Sequence, residues 1–157
     1  MAIRIIRKTG DPVLRTKAKA VPEVTRHIVK LLDDMRDTMY DAKGIGLAAN
    51  QIGILKRVIV ADVGEGLVEL INPEILQRQG EQTASEGCLS IPGVRGEVKR
   101  ADQIVVTALN RSGERIQIAA EGLLSRCIQH EIDHLNGILF TDYIKEPIIA
   151  NEAEVKQ

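Results

Sequence analysis

Between Thr25 and Tyr40 the apolar residues Ile28, Leu31, Leu32, Met35 and Met39 recur at helical spacing, with charged residues on the opposite face. That pattern predicts an amphipathic helix, broken by Gly44 and Gly46. Upstream, Asp11-Pro12 predicts a turn into a short helix, with proline at its first position. Downstream the period changes. The β-branched run Val58 to Val63 predicts a buried strand, Gly64 and Gly66 turn the chain, and Leu67 to Ile71 returns as a second strand. Residues 93–99, 103–109 and 115–119 read as further strands, the last two joined by a hairpin at Ser112-Gly113. Glu121 to Asn136 predicts a second helix, ended by Gly137. Leu123, Leu124, Cys127, Ile128, Glu131, Ile132 and Leu135 cover most of its circumference, leaving Arg126, Gln129, Asp133 and Asn136 as a polar stripe. A helix so nearly apolar all round is a buried one. Strands clustered before a core helix predict an α+β fold: antiparallel or mixed sheets packed around the buried central helix, with the amphipathic helix N-terminal to them. No repeat, low-complexity tract or linker divides the chain, so residues 1–157 are expected to form a single domain with a short polar tail over 146–157.

Composition narrows the function classes. Lys plus Arg is 21 against 22 for Asp plus Glu, a formal charge of −1, which argues against a phosphate-tracking basic surface. Tyr40, Phe140 and Tyr143 are the aromatics, with no Trp, too few for a base-stacking platform. No direct nucleic-acid binding is expected. No apolar run approaches the ~20 residues of a membrane span, and residues 1–15 lack the apolar core of a secretory signal. The expectation is a cytoplasmic protein with reduced thiols and no membrane partner. Two cysteines, Cys88 and Cys127, cannot make a disulfide scaffold. With His27, His130 and His134, and the carboxylates, they are what a metal site could draw on.

His130-Glu131-Ile132-Asp133-His134 matches H-E-x-x-H. Histidines four apart sit one above the other on a helix face, so both can reach one metal, and the glutamate between them can touch a water there. A third ligand sets the class. Phe140 stands where a metzincin carries its third histidine. His27 lies on another helix and is assigned to solvent. Glu146, Glu152 or Glu154 could complete a His₂Glu set, although the tail that bears them is short and polar. Cys127 with Cys88 and both histidines could form a closed four-ligand structural site, but Cys127 and His134 are about 10.5 Å apart along the helix axis, which favours Cys127 as core. Cys88 lies in Ser85-Glu86-Gly87-Cys88-Leu89-Ser90, read as a polar turn before Pro92. From a turn it could approach the helix from outside. One Cys and two His leave a coordination position open, the pattern of a catalytic site.

Gly44-Ile45-Gly46-Leu47-Ala48-Ala49 satisfies the dinucleotide fingerprint G-x-G-x-x-A, with Asp62 downstream. The context is wrong, because the fingerprint follows a strand and here it follows a helix. Its glycines are expected to bring backbone close to a ligand, beside the amides of Asn50 and Gln51.

With these segments placed, the chain resembles the peptide deformylase family from about Ile5 to Tyr143. Gly44 to Gln51, Glu86 to Ser90 and Gln129 to Leu135 resemble that family's three motifs, in order. The resemblance implies a metal-dependent hydrolase that removes the formyl group from N-formylmethionine on newly made polypeptides, releasing formate. It implies one divalent ion on Cys88, His130 and His134, with Fe²⁺ native and Zn²⁺, Ni²⁺ or Co²⁺ as replacements. Glu131 would carry the proton from water to the leaving amine. The Leu89 backbone N–H and the Gln51 carboxamide would meet the oxyanion. Ile45, Leu123, Cys127 and the face of His130 would line a methionine pocket. Backbone groups of Ile45, Gly46 and Gly87 would pair with an extended peptide, and Arg95 would lie near the substrate path. Arg126 departs from the apolar residue common at its position; on the polar stripe, it is expected at the pocket mouth with its stem over the methionine. Glu86 and Asp133 are expected to orient the histidines or pair with Arg100. Some members extend here into a long helix used for ribosome docking, whereas residues 146–157 could form only a short one; transient ribosome association is the expectation. The competing readings are a small H-E-x-x-H metallopeptidase with a downstream third ligand, and a zinc-stabilised binding domain with all four positions filled.

Overall fold

Both helices form where the apolar patterns lie. The computed structural model describes residues 2–144 and 148–149, with α1 at Arg26–Asp41 and α2 at Gly122–Leu135. The five apolar positions of α1 are all buried, together with Asp34 and Thr38. Those two polar groups bind the N-terminal segment: Asp34 accepts from the backbone N–H of Ala2 and from the Arg4 guanidinium, and the Thr38 hydroxyl accepts from the Arg4 N–H.

Among the described residues eight strands are found, in chain order: β1 Gly46–Ala48, β2 Val58–Ala61, β3 Val68–Gln79, β4 Gln82–Cys88, β5 Ile91–Arg100, β6 Gln103–Leu109, β7 Arg115–Glu121 and β8 Ile148–Ile149. They make a five-stranded sheet in the order β1-β2-β3-β6-β7 and a three-stranded sheet in the order β4-β5-β8, with antiparallel neighbours throughout. The larger sheet is covered on both faces. Val58 and Val60 of β2 pack with Leu32, Met35 and Met39 of α1, whereas Ile59 packs with Ile128, Ile132 and Leu135 of α2. Burial on both faces explains why β2 reads as a continuous apolar run rather than an alternating one. A third cluster of Leu14, Cys88, Ile91, Val98, Leu139 and Phe140 lies between the smaller sheet and the segment after α2.

Three expectations change. The second strand does not stop at Ile71: β3 runs on through Asn72-Pro73 to Gln79 with register shifts. Asn72 takes a positive φ of 52°, and its amide exchanges two hydrogen bonds with the backbone of Val21, both 2.8 Å, so an apparent turn signal serves an irregularity within a strand. Residues 82–88 form β4 instead of a loop, because their ladder with β5 satisfies backbone that the polar composition gave no reason to pair. Gly46–Ala48 is a strand, buried at every position. The polar tail over 146–157, with the candidate ligands Glu146, Glu152 and Glu154, lies outside the described residues apart from Ile148 and Ile149. Among the described residues no helix is long and apolar enough to cross a membrane.

Candidate active site

Helix α2 supplies His130, Glu131 and His134, and the end of β4 supplies Cys88. The fold closes them from opposite sides. His134 Nε2 lies 3.3 Å from Cys88 Sγ and 3.2 Å from His130 Nε2, and all three ligand atoms fall within 4.8 Å of one another. All three residues are buried. One ion at bond lengths of ~2.0–2.3 Å would span such separations. The imidazole of His130 has one free end, because its Nδ1 is engaged by Glu86 at 2.9 Å; Nε2 is the end turned to the cluster. A thiolate and two imidazoles form a donor set for a first-row transition ion rather than for Mg²⁺ or Ca²⁺. The residues present therefore fit a metal. Cys127, by contrast, directs its thiol to the carbonyl of Ile45 at 3.3 Å and stands outside the convergent set. Phe140 is buried, its ring stacked at 6.0 Å from that of His130. His27 is exposed on α1.

Burial works against charge on both imidazoles. At His130 it is outweighed by the Cys88 thiol and by the carboxylates of Glu131 and Glu86, which raise the pKa to about 10. At His134 the neighbouring His130 reinforces burial and the pKa falls well below its ordinary value. Glu131 is fully buried, and neither carboxylate oxygen has a hydrogen-bond partner among the described residues. Burial raises its pKa to about 7. A carboxylate so placed can both take and return a proton near neutrality.

The glycine motif packs tightly against α2. A Cβ on Gly46 would sit 2.4 Å from Glu131 Oε2 and 2.7 Å from Cys127 Sγ. The missing side chain makes room for the protein's own carboxylate as β1 packs on α2. After β1 a single 3₁₀ turn, Ala49–Ile52, carries Gln51 inward. Its Oε1 accepts from the Ala48 N–H at 2.9 Å, and its Nε2 donates to Ser90 Oγ at 3.0 Å and faces Cys88 Sγ at 3.7 Å. Gly87 and Leu89 are buried beside Cys88. Leu123 is half exposed on the first turn of α2. Ile45 is half-buried, and its carbonyl accepts from the Asp62 N–H at 2.8 Å as well as from the Cys127 thiol. Arg95 on β5 holds Ser85 through Nε to Oγ and Nη2 to the carbonyl.

Arg126 is not at a pocket mouth. It is 2% exposed, and its guanidinium binds Glu86, the Val98 carbonyl and Gln82. Glu86, wholly buried, also receives two bonds from Arg100, each 2.9 Å. Burial alone would raise the Glu86 pKa; Arg100 and His130 outweigh it and hold the carboxyl well below the usual range. Arg100 reaches Asp133 at 2.6 Å, Tyr143 donates to the same carboxylate at 2.8 Å, and its ring lies 5.0 Å from the Arg100 guanidinium. Sequence reasoning misplaced Arg126 and gave Ser90 no role. The signal for Arg126 was present: it lies one helical turn before His130, a cation on the face that meets Glu86.

Comparison with known proteins agrees with this geometry. The family described as polypeptide deformylase matches residues 3–148. A peptide deformylase of Caldanaerobacter subterraneus is 60% identical over 144 residues, covering 92% of this chain and 91% of that protein. One of Acetivibrio thermocellus is 57% identical over 154 residues, covering 98% and 91%. Among solved structures, the peptide deformylase of Thermotoga maritima superposes with a TM-score of 0.90 at 44% identity, covering 93% of this chain and all of that one. That of Synechococcus elongatus in complex with actinonin gives 0.87 at 44% identity, covering 90% and 78%. The α+β fold, the Cys-His-His cluster and this likeness across nearly the whole chain agree: the chain belongs to the polypeptide deformylase family, metal-dependent hydrolases that remove the N-formyl group from nascent peptides.

Proposed function

We propose that the deformylase reaction of this chain uses Cys88, His130 and His134 as metal ligands, Glu131 as the proton carrier, and Gln51 with the Leu89 backbone N–H as donors to the formyl oxygen. The observation that carries this reading is the convergence of one sulfur and two imidazole nitrogens beside a buried carboxylate with no hydrogen-bond partner among the described residues. The resemblance implies Fe²⁺ as the native ion, with Zn²⁺, Ni²⁺ or Co²⁺ able to replace it; the donor set itself accepts any of the four. When bound, the ion supplies Lewis acidity toward water and the formyl oxygen.

Glu131 accepts the proton of the attacking water and delivers it to the leaving amine, so that formate and a free amino terminus are released. Its burial, with no hydrogen-bond partner for either oxygen among the described residues, leaves the carboxylate available for both transfers. With Oε1 tied to Ala48, Gln51 presents Nε2 to the side of Cys88. There it opposes the negative charge that develops on the formyl oxygen. Ile45, Leu123, Cys127 and the face of His130 receive the methionine side chain. Backbone groups of Ile45, Gly46 and Gly87 pair with the extended peptide, and Arg95 flanks its path. Action on formylated nascent chains supports work in the cytoplasm, in transient contact with ribosomes.

The test is anaerobic purification, loading with Fe²⁺, Ni²⁺ or Co²⁺, and a formate-release assay on formyl-Met-Ala-Ser. Metal-dependent formate release is expected, lost together with the metal in Cys88→Ala. Absence of turnover with all three ions would overturn the proposal.

A further inference from the structure

Strands β4 and β5 are joined by two residues, Leu89 and Ser90, since Cys88 and Ile91 are Cα partners. A two-residue hairpin link ordinarily uses a primed turn, which requires positive φ at one or both positions. Neither residue has it; the positive-φ non-glycines among the described residues are Lys43 and Asn72. The link is therefore not one of the primed turns that two-residue hairpins favour, and contacts from elsewhere add to what holds it.

Three consecutive residues of the N-terminal segment supply them. The Arg7 N–H donates to the Gln51 carbonyl at 2.6 Å, and the Thr9 N–H to the Ser90 carbonyl at 2.8 Å. Between them, Lys8 Nζ donates to the Leu89 carbonyl at 3.0 Å. The segment is itself braced. Asp11 N–H bonds the Lys8 carbonyl at 3.1 Å, and Arg7 Nη1 meets the Asp11 carboxylate at 3.0 Å. Ser90 closes the arrangement by accepting from Gln51 Nε2. Residues 7 to 9 thus hold the two elements that carry Gln51 and the Leu89 N–H. Two of the three bonds come from backbone and are blind to side-chain identity. Only the Lys8 bond depends on the residue, and as a charged donor it is the stronger kind.

We propose that Lys8 is a positioning residue for deformylation: its ammonium, bound to the Leu89 carbonyl, holds the Leu89–Ser90 link so that the Leu89 N–H faces the formyl oxygen. This rests on the reading of Gln51 and Leu89 given above. Lys8 lies outside the Cys88, His130 and His134 set. Its effect falls on the transition state, where charge on the oxygen is greatest and small misplacement is costly.

The experiment compares Lys8→Met, Lys8→Arg and Gln51→Ala as metal-loaded enzymes, with kcat and KM on formyl-Met-Ala-Ser, metal content and thermal midpoint for each. Lys8→Met should lose about tenfold in kcat, with KM within about twofold, one metal per chain and an unchanged midpoint. Lys8→Arg, which can still donate to the carbonyl, should keep at least about a third of kcat. Full kcat in Lys8→Met, a loss that tracks metal content or unfolding, or Lys8→Arg as impaired as Lys8→Met would each overturn the proposal. Gln51→Ala separates the two levels, with an expected kcat loss of roughly 10²–10³. That loss alongside full activity in Lys8→Met sinks the Lys8 role alone. Full kcat in Gln51→Ala sinks the underlying reading and the Lys8 role with it.

Discussion

Glu131 and Gly46 must be considered as one unit. A buried carboxylate without a hydrogen-bond partner is costly to keep, and such a group is retained where chemistry needs it. Glu131→Ala should keep its metal by elemental analysis and lose at least about 10² in formate release; retained turnover in the metal-replete variant would refute the proton-carrier role. Gly46→Ala tests the same carboxylate from the other strand. Its Cβ would lie 2.4 Å from Glu131 Oε2, far inside contact distance, so β1 or the carboxylate must shift. An activity loss of about 10² is expected from displacement on that scale, and wild-type kcat in a folded Gly46→Ala protein would count against it. The sequence marks each residue of this pair separately, Glu131 through H-E-x-x-H and Gly46 through the glycine motif, but not their contact. That a glycine more than eighty positions away makes room for its side chain is a fact of packing.

At the scale of elements, α2 is joined to the smaller sheet by an ionic cross-link. Arg126 from the helix and Arg100 from β5 both bind Glu86 of β4, and Glu86 binds His130. The strand that presents Cys88 and the helix that presents both histidines are thereby tied one turn behind the ligands. Removing Arg126 would leave bonds to a buried carboxylate and to the Val98 carbonyl unmade. Arg126→Ala should cost roughly 2 kcal/mol or more in denaturant unfolding of the metal-loaded protein. A change below about 0.5 kcal/mol would show that the cross-link contributes little. The polar stripe on α2 is real as a pattern, yet Arg126 and Gln129 are both buried. Periodicity marked these side chains as polar; their ion pairs and backbone partners arise only when β4, β5 and the β5–β6 corner meet the helix.

Across the whole molecule, the N-terminal segment is fastened at both ends. Lys8 and Thr9 reach the β4–β5 link, and residues 2 and 4 are bound to α1 through Asp34 and Thr38. For Asp34, burial alone would raise the pKa. The Arg4 hydrogen bond, the nearby Lys30 charge and the Ala2 N–H outweigh it and hold the carboxyl below its ordinary value of 3.8. A folded-state pKa below the unfolded one means stability that is present above the unfolded value and lost as pH falls through the folded one. The window therefore lies below about pH 4. Asp34→Asn should be less stable than wild type at neutral pH and lose less on acidification, so the two unfolding curves converge below that pH. Parallel curves from pH 7 to pH 2 would exclude Asp34 as a source of acid sensitivity.

The sequence by itself determined both helices, four of the strands to within two residues at each end, the H-E-x-x-H pair and, through three ordered motifs, the family. These are local signals: a period of 3.6, β-branched runs, and histidines four apart on one helix face. Only the tertiary structure decided the rest. β4 and the continuation of β3 past Asn72-Pro73 exist because partner strands satisfy their backbone, which polar or turn-like composition cannot announce. Cys88 meets His134 across 46 residues, Lys8 meets Leu89 across 81, and Arg126 turns inward to a carboxylate 40 residues away. Contacts at such separations depend on how sheets and helices pack, and no periodicity along one stretch of chain encodes them.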